Sequence, residues 1–497
     1  MRNFMKKFYS IIAAGAFLLI LFIFLSADKL QKDPNFVSLE NGSFQLNDKP
    51  FYPIAINYMV ALRTDSIEFW PSPYPEYGPL ANRELLDKDS SLKTLKADLD
   101  MIKQMGFNTV RFANIGEVKR EAGVNEFFYI NTIFNKTDST RITFKDGITY
   151  VRYLKAIDEL VELAKNAGLK IIFLVKLQED ARGPKLFLEK VMTHFKKEPT
   201  IMAYDLFNEP LYFHKIERTK PEIFKITKQW QNFIRKYAPH QLTTIGLTGI
   251  REVFEWDPNI LNVDFLSFHP YEYEPNQVMN EVYWYGKYVE KPWIIGETSF
   301  PSNNDTIKYE DQSLFAKKTL EQVCNCGGIG YSWWQYKDVT WGSYHADYMG
   351  VVNWHGSTTT DKGSMIYGTP KPVAKIFKEY KPMKLKDHCI KLDNYYNLSN
   401  YKDHRILGTI LDENDKPIEG AIIMGWSKDW TKIVSTVSKK DGTFELYSNF
   451  PFGHWIASAT HYNTLREGFW HDHQKQLDST TNVTNYDLGR LKFKKVF

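Results

Sequence analysis

Cysteine is scarce in this chain: three in 497 residues, Cys324, Cys326 and Cys389. That excludes a disulfide-framework scaffold, and with no second Cys pair it excludes a zinc ribbon. Cys-x-Cys is poor geometry for an internal bridge, so the expectation is buried thiols or at most one bridge to Cys389. Charge of one sign is lacking too. The net charge is +4 with no long basic run, too little to argue for a nucleic-acid partner. No Gly-x-Gly-x-x-Gly fingerprint follows the first predicted strand, which counts against a doubly wound open sheet. His471, Asp472 and His473 form no helical His-x-x-x-His pair and read as a solvated loop. No metal or organic cofactor is therefore expected.

Aromatics, by contrast, are abundant: 15% of the chain, with 13 Trp and 29 Tyr. Most belong in a core, but the surplus suits stacking on flat ligands such as sugars. At the N-terminus Arg2, Lys6 and Lys7 precede an uncharged stretch from Phe8 to Ala27. By composition this is an export signal. Cleavage after Ala27 would leave bulky Leu25 where a small residue is preferred, and the stretch is also just long enough to span a bilayer. Signal peptide and membrane anchor through residues 8–27 thus stay level. In both cases the basic end stays inside, and the rest is exported to an extracellular, periplasmic or cell-surface location.

Downstream, strand-like and helix-like patterns alternate. Strands are expected at 51–58, 108–116, 169–176, 201–210, 242–249, 263–271, 292–300 and 327–338. Helices are expected at 91–106, about 154–167, 186–195, 224–237, 275–288, 313–324 and 371–380, on apolar spacings such as Leu95, Leu99 and Ile102. Several strands are continuous apolar runs, as in parallel strands buried on both faces. Eight βα units predict a (β/α)₈ TIM barrel over residues 35–385. Residues 386–404 are polar and read as a linker. From Arg405 to Phe497 short alternating strands, with Asp441-Gly442 as a hairpin turn, predict a small all-β sandwich.

In a TIM barrel, chemistry sits just past the C-terminal strand ends. Those positions hold Arg111 and Asn114, Asn208-Glu209-Pro210, His269-Pro270-Tyr271, Glu297, and Trp333-Trp334. Two glutamates facing each other across one mouth suit glycoside cleavage: one protonates the leaving oxygen and the other attacks the anomeric carbon. Arg111 and Tyr271 would favour ionised Glu297, while Glu209 keeps its proton longer. Asn208 is placed to hold a sugar hydroxyl, and either tryptophan offers a flat face to a ring. His269 stands evenly between support and action. Trp70, Tyr74 and Tyr77 read as loop packing more than a sugar platform, and His345 and Asp347 as an ordinary polar loop.

YDLFNEP, with SFHPY and PWIIGETSF downstream, resembles the catalytic barrel of clan A glycoside hydrolases, family five, the cellulase and mannanase family. The resemblance implies a retaining hydrolase of β-linked polysaccharide or oligosaccharide, of β-mannan or β-glucan type, with Glu209 as acid/base and Glu297 as nucleophile. It places substrate contacts at Arg111, Asn208, His269, Tyr271 and one of Trp333 and Trp334. A transglycosylase would share these residues, and an inactive carbohydrate-binding protein is the reading from another class. One departure stands out: LVKLQED carries Lys176 and Gln178 where many members have a His after strand three. The sandwich resembles the carboxypeptidase-regulatory-like domain appended to exported enzymes.

Overall fold

The computed structural model describes residues 33–64, 68–77, 87–113, 118–120, 128–133, 139–143, 147–175, 182–213, 217–385, 388–468, 475–478 and 483–497. The apolar stretch 8–27, Asn114, Lys176, Gln178 and the 471–473 triplet lie outside the described residues. Among the described residues, no helix is long and apolar enough to cross a membrane.

Eight parallel strands close into a barrel: β1 Ile54–Thr64, β2 Thr109–Ala113, β3 Lys170–Leu174, β4 Ile201–Asn208, β5 Leu242–Leu247, β6 Leu266–Phe268, β7 Trp293–Ile295 and β8 Tyr331–Trp333. Each pairs with the next, and β8 pairs back onto β1 through Tyr331 opposite Ile54, so the sheet has no free edge. Helices between the strands bury apolar stripes on the outside: α1 Lys88–Gln104, α2 Gly147–Asn166, α3 Arg182–Phe195, α4 Lys220–Tyr237, α5 Gln277–Tyr288, α6 Tyr309–Asn325 and α7 Val373–Glu379. Their ends follow local chemistry. Asp87 caps α1 by accepting from the Ser90 N–H. At Gly106 the chain turns with φ +96°, and a Cβ there would meet the Lys378 backbone at 2.5 Å.

A three-stranded antiparallel sheet over 38–50 plugs the N-terminal end of the barrel, packing Val37 and Phe44 against Ile172, Met202 and Phe265. That leaves the C-terminal end as the place where polar side chains can meet a ligand.

The C-terminal unit is a sandwich of two four-stranded sheets, ordered β12-β9-β16-β15 and β11-β10-β13-β14. Here β9 is His404–Leu411, β10 Ile422–Ser427, β11 Ile433–Val437, β12 Thr443–Ser448, β13 Phe452–Ser458, β14 Leu465–Gly468, β15 Lys475–Asp478 and β16 Val483–Lys492. Period-two alternation sends Ile423 and Val434 into its core, while Ile422, Met424 and Val437 join the barrel core. Polar pairing locks the junction. Buried Lys220 donates to Asp257 (3.0 Å) and to the Ala459 carbonyl (2.7 Å), and the His461 N–H also donates to Asp257. The Trp284 indole N–H donates to the Gly420 carbonyl.

The stretch read as a linker lies against the barrel. Cys389 is bridged to Cys326, Asn394 bonds Pro275 and Asn280, and Tyr395 is buried. Polar composition hid this, because Tyr rings and Asn amides can pack and pair as well as face water. Cys324 is a free, buried thiol.

Candidate active site

Arg111, on β2, is fully buried, so its guanidinium must find its acceptors inside the barrel. Nε donates to Asp205 Oδ2 (2.8 Å), Nη1 to Asn57 Oδ1 (2.8 Å) and Glu297 Oε1 (2.5 Å), and Nη2 to Asn208 Oδ1 (2.8 Å). Burial opposes the charge, but Asp205 and Glu297 outweigh it and raise the Arg111 pKa above its ordinary value. Asn57 is fixed in turn by donating to Gly296 O, Ser332 Oγ and Trp333 O.

Glu297 follows β7, and its second oxygen accepts from the Tyr271 hydroxyl at 2.8 Å. Glu209 follows β4 at φ +50°, a conformation that costs a non-glycine residue energy and clusters at functional sites. Its N–H donates to Gly246 O, turning the side chain into the mouth. His269 stands between the two acids, Nδ1 lying 3.0 Å from Glu209 and 3.6 Å from Glu297. Gly246 and Gly296 make room for this imidazole, since a Cβ at either would come within 2.8 Å of it.

Burial holds His269 down to about 4, so the imidazole is neutral at pH 7. Burial likewise pushes Glu209 up to about 7, against the nearby charges of Arg111 and Arg251. For Glu297 burial raises the pKa as well, and His269, Arg111 and the Tyr271 hydroxyl pull the other way. With His269 neutral, the direct bonds from Arg111 and Tyr271 are the stronger support for its charge. One oxygen of Glu209 and one of Glu297 lie within 4.8 Å of each other. They open onto a cavity of about 480 Å³ whose other walls include Met59, Leu174, Phe213, Trp334 and Trp341.

This arrangement agrees with what the chain matches: the family model described as cellulase (glycosyl hydrolase family 5) covers residues 84–339, just over half of it. The chain belongs to glycosyl hydrolase family 5. No curated protein matches it. Among solved structures it is similar to a GH2 β-galacturonidase from Eisenbergiella tayi (14% identity, 70% of this chain and 55% of that one, TM-score 0.45). It is also similar to an exo-β-1,4-mannosidase from an Opitutaceae bacterium (16%, 69% and 61%, TM-score 0.46) and a family 5 mannosidase from Rhizomucor miehei (13%, 70% and 97%, TM-score 0.43). The chain thus spans 55% and 61% of the first two.

Within this family 5 barrel the expected residues Arg111, Asn208, Glu209, Tyr271, Glu297 and Trp334 all line the cavity, and His269 lies directly behind it. Trp333 does not, which corrects its assignment as a substrate contact. It is fully buried on the outer face of β8 against Phe315 and Phe377, with its indole N–H bonded to Met349 O. Successive residues on a strand face opposite ways, so only one of the pair could reach the mouth.

Several contributors are not singled out by the sequence, the apolar wall residues Met59 and Leu174 among them. Asn57 and Asp205 hold Arg111, and both were visible as polar residues inside apolar strands. Phe213 lines the cavity one turn past Glu209. Trp341 reaches it from the β8 loop, whose N–H groups at Trp341 and Gly342 are held by buried Asp347. Asp347 therefore supports the site, whereas His345 is exposed. Trp70 and Tyr77 are buried and Tyr74 packs against the core, as loop packing requires.

Among the described residues, the one group able to bring three ligand atoms together is Glu209, His269 and Glu297. Arg111 already occupies Glu297 and would repel a cation there, so the donor set does not fit a resident metal.

Proposed function

We propose that this chain is a retaining glycoside hydrolase acting on β-linked polysaccharide or oligosaccharide of the β-mannan or β-glucan type. The observation that carries the reading is a pair of carboxyl oxygens within 4.8 Å of each other in unequal surroundings. Double displacement uses carboxyls about 5–5.5 Å apart, whereas inversion needs about 6.5–9.5 Å to admit a water. The unequal surroundings divide the roles. Glu209, raised to about 7, keeps a proton to donate. Glu297, bonded by Arg111 and Tyr271, offers a fixed, charged oxygen.

In the first step Glu209 transfers its proton to the glycosidic oxygen as that C–O bond breaks, and a Glu297 oxygen bonds to the anomeric carbon from the opposite face. In the second step Glu209, now a carboxylate, takes a proton from water. The water oxygen bonds to the anomeric carbon and the ester to Glu297 breaks. Two substitutions at one carbon leave its configuration unchanged. Arg111 orients the Asn208 amide towards a sugar hydroxyl, and Trp334 lies beside the cavity as a face for the ring.

Export is part of the proposal. The basic-then-apolar N-terminus supports it, and so does the Cys326–Cys389 bridge, since such bridges persist in oxidising compartments.

The acid/base role is tested with Glu209→Ala. An activated aryl glycoside, whose leaving group needs no proton, should still form the glycosyl-enzyme, and azide should restore turnover. Equal fractional loss on activated and ordinary substrates, with no azide rescue, would overturn the assignment.

A further inference from the structure

Beside the catalytic cavity lies a second cleft of about 310 Å³, at the junction of the barrel mouth and the sandwich. Its barrel wall is Tyr212, Arg251 and Tyr273, from the loops after β4, β5 and β6, and its sandwich wall includes Met424 and Ile433. The two cavities adjoin through consecutive residues: Phe213 lines the first and Tyr212 the second, and both N–H groups are held by Glu209 O. Arg251 fixes Tyr212, donating to its hydroxyl at 2.8 Å with the guanidinium over the ring.

These rings are not core. Tyr273 is 68% exposed, Phe213 54%, Tyr212 53%, and Ile433 opposite them 41%. Grouped exposed apolar surface at the rim of a catalytic mouth marks a binding surface.

We infer that this cleft is a subsite for the leaving-group side of a neutral β-glycan, so that the sandwich takes part in substrate binding. The inference rests on the proposed function above. The direction follows from Glu209: the proton donor stands next to the leaving oxygen, and the sugar units joined to that oxygen extend from its side. Phe213, Tyr212 and Tyr273 lead from there to β11. The chemistry of the walls follows a sugar chain, with apolar faces for ring faces and a few polar groups, Gln277 and Ser435 among them, for hydroxyls. Glu274 and Glu281 share the cleft with Arg251, so its carboxylates outnumber its guanidinium and an acidic polysaccharide is disfavoured.

The test uses the full chain and compares neutral hexasaccharides of the manno, gluco and xylo series with the matching 2,4-dinitrophenyl glycosides, which end at the leaving group. For the sugar cleaved best, the ratio of kcat/KM on hexasaccharide to that on aryl glycoside should fall about tenfold in Tyr273→Ala and about threefold in Ile433→Asp, the scale of one lost aromatic or apolar contact. Both positions are exposed, and thermal melting checks that each variant folds. An unchanged ratio in both variants, with a wild type that cleaves the aryl glycosides, overturns the inference and leaves the hydrolase reading standing. A wild type that cleaves none of the substrates overturns that reading, and the inference with it.

Discussion

The role proposed for Glu209 joins two properties that can be measured separately: donation of a proton, and a carboxyl that burial keeps neutral. Replacing it with Gln keeps the shape and removes the titration. The folded carboxyl releases its proton near 7, whereas an exposed one does so near 4.5. Between those values the folded chain binds more protons than the unfolded one, so stability falls as pH rises. At about 1.36 kcal/mol per pH unit, the wild type loses roughly 3 kcal/mol by pH 7. Below 4.5 the carboxyl is protonated in both states and costs nothing extra. Tm measured from pH 4 to 9 for wild type and Glu209→Gln should therefore diverge in favour of Gln through this window and run parallel above it. The same group should set the alkaline limb of activity, with kcat/KM declining as pH rises through about 7. A constant Tm difference from pH 4 to 9, or full activity sustained to pH 9, would show that Glu209 is not a buried proton donor with a raised pKa.

The two adjacent tryptophans should separate cleanly: Trp333→Ala should cost about 3–5 kcal/mol of stability as a buried aromatic, read as a fallen Tm, whereas Trp334→Ala should leave Tm nearly unchanged and raise KM. Tyr271→Phe removes one hydrogen bond to the Glu297 carboxylate, worth about 1.5–3 kcal/mol in the folded enzyme, so Tm should fall by less than in Trp333→Ala while kcat/KM falls about tenfold to a hundredfold. Truncation at Asn397 strips Ala459 and His461 from the buried Lys220–Asp257 pair, so Tm should drop. The truncated barrel should still turn over a 2,4-dinitrophenyl glycoside, and a folded fragment that did not would place the sandwich in the chemistry itself.

Strand ends were legible in the sequence because an apolar run that stops at a charged or amide residue in a βα repeat has few other meanings. That is how Arg111, Asn208, Glu209, Tyr271 and Glu297 came together on one face. What failed was finer than the pattern. Trp333 and Trp334 differ by one residue, which on a strand means opposite faces, and nothing local says where β8 ends. Asn57 and Asp205 were anomalies in FYPIAINY and YDLFNEP, but their meaning depended on Arg111, on another strand. Phe213 and Trp341 sit on loops whose course no periodicity describes. The docking of Met424 and Ile433 beside Tyr212 joins residues more than two hundred positions apart, and no window of sequence carries that contact. The polar stretch 388–404 misled because composition cannot distinguish an amide that faces water from one that bonds Pro275.

In the proposed mechanism Glu297 attacks the sugar, and the anomeric carbon is substituted twice. Proton NMR of the first-formed product, followed during rapid hydrolysis of a β-glycoside before mutarotation, distinguishes this from a single displacement. With double displacement the β anomer appears first and the α anomer only later, as mutarotation proceeds. If the α anomer appears first, attack was by water in a single step, and the roles proposed for Glu209 and Glu297 are wrong.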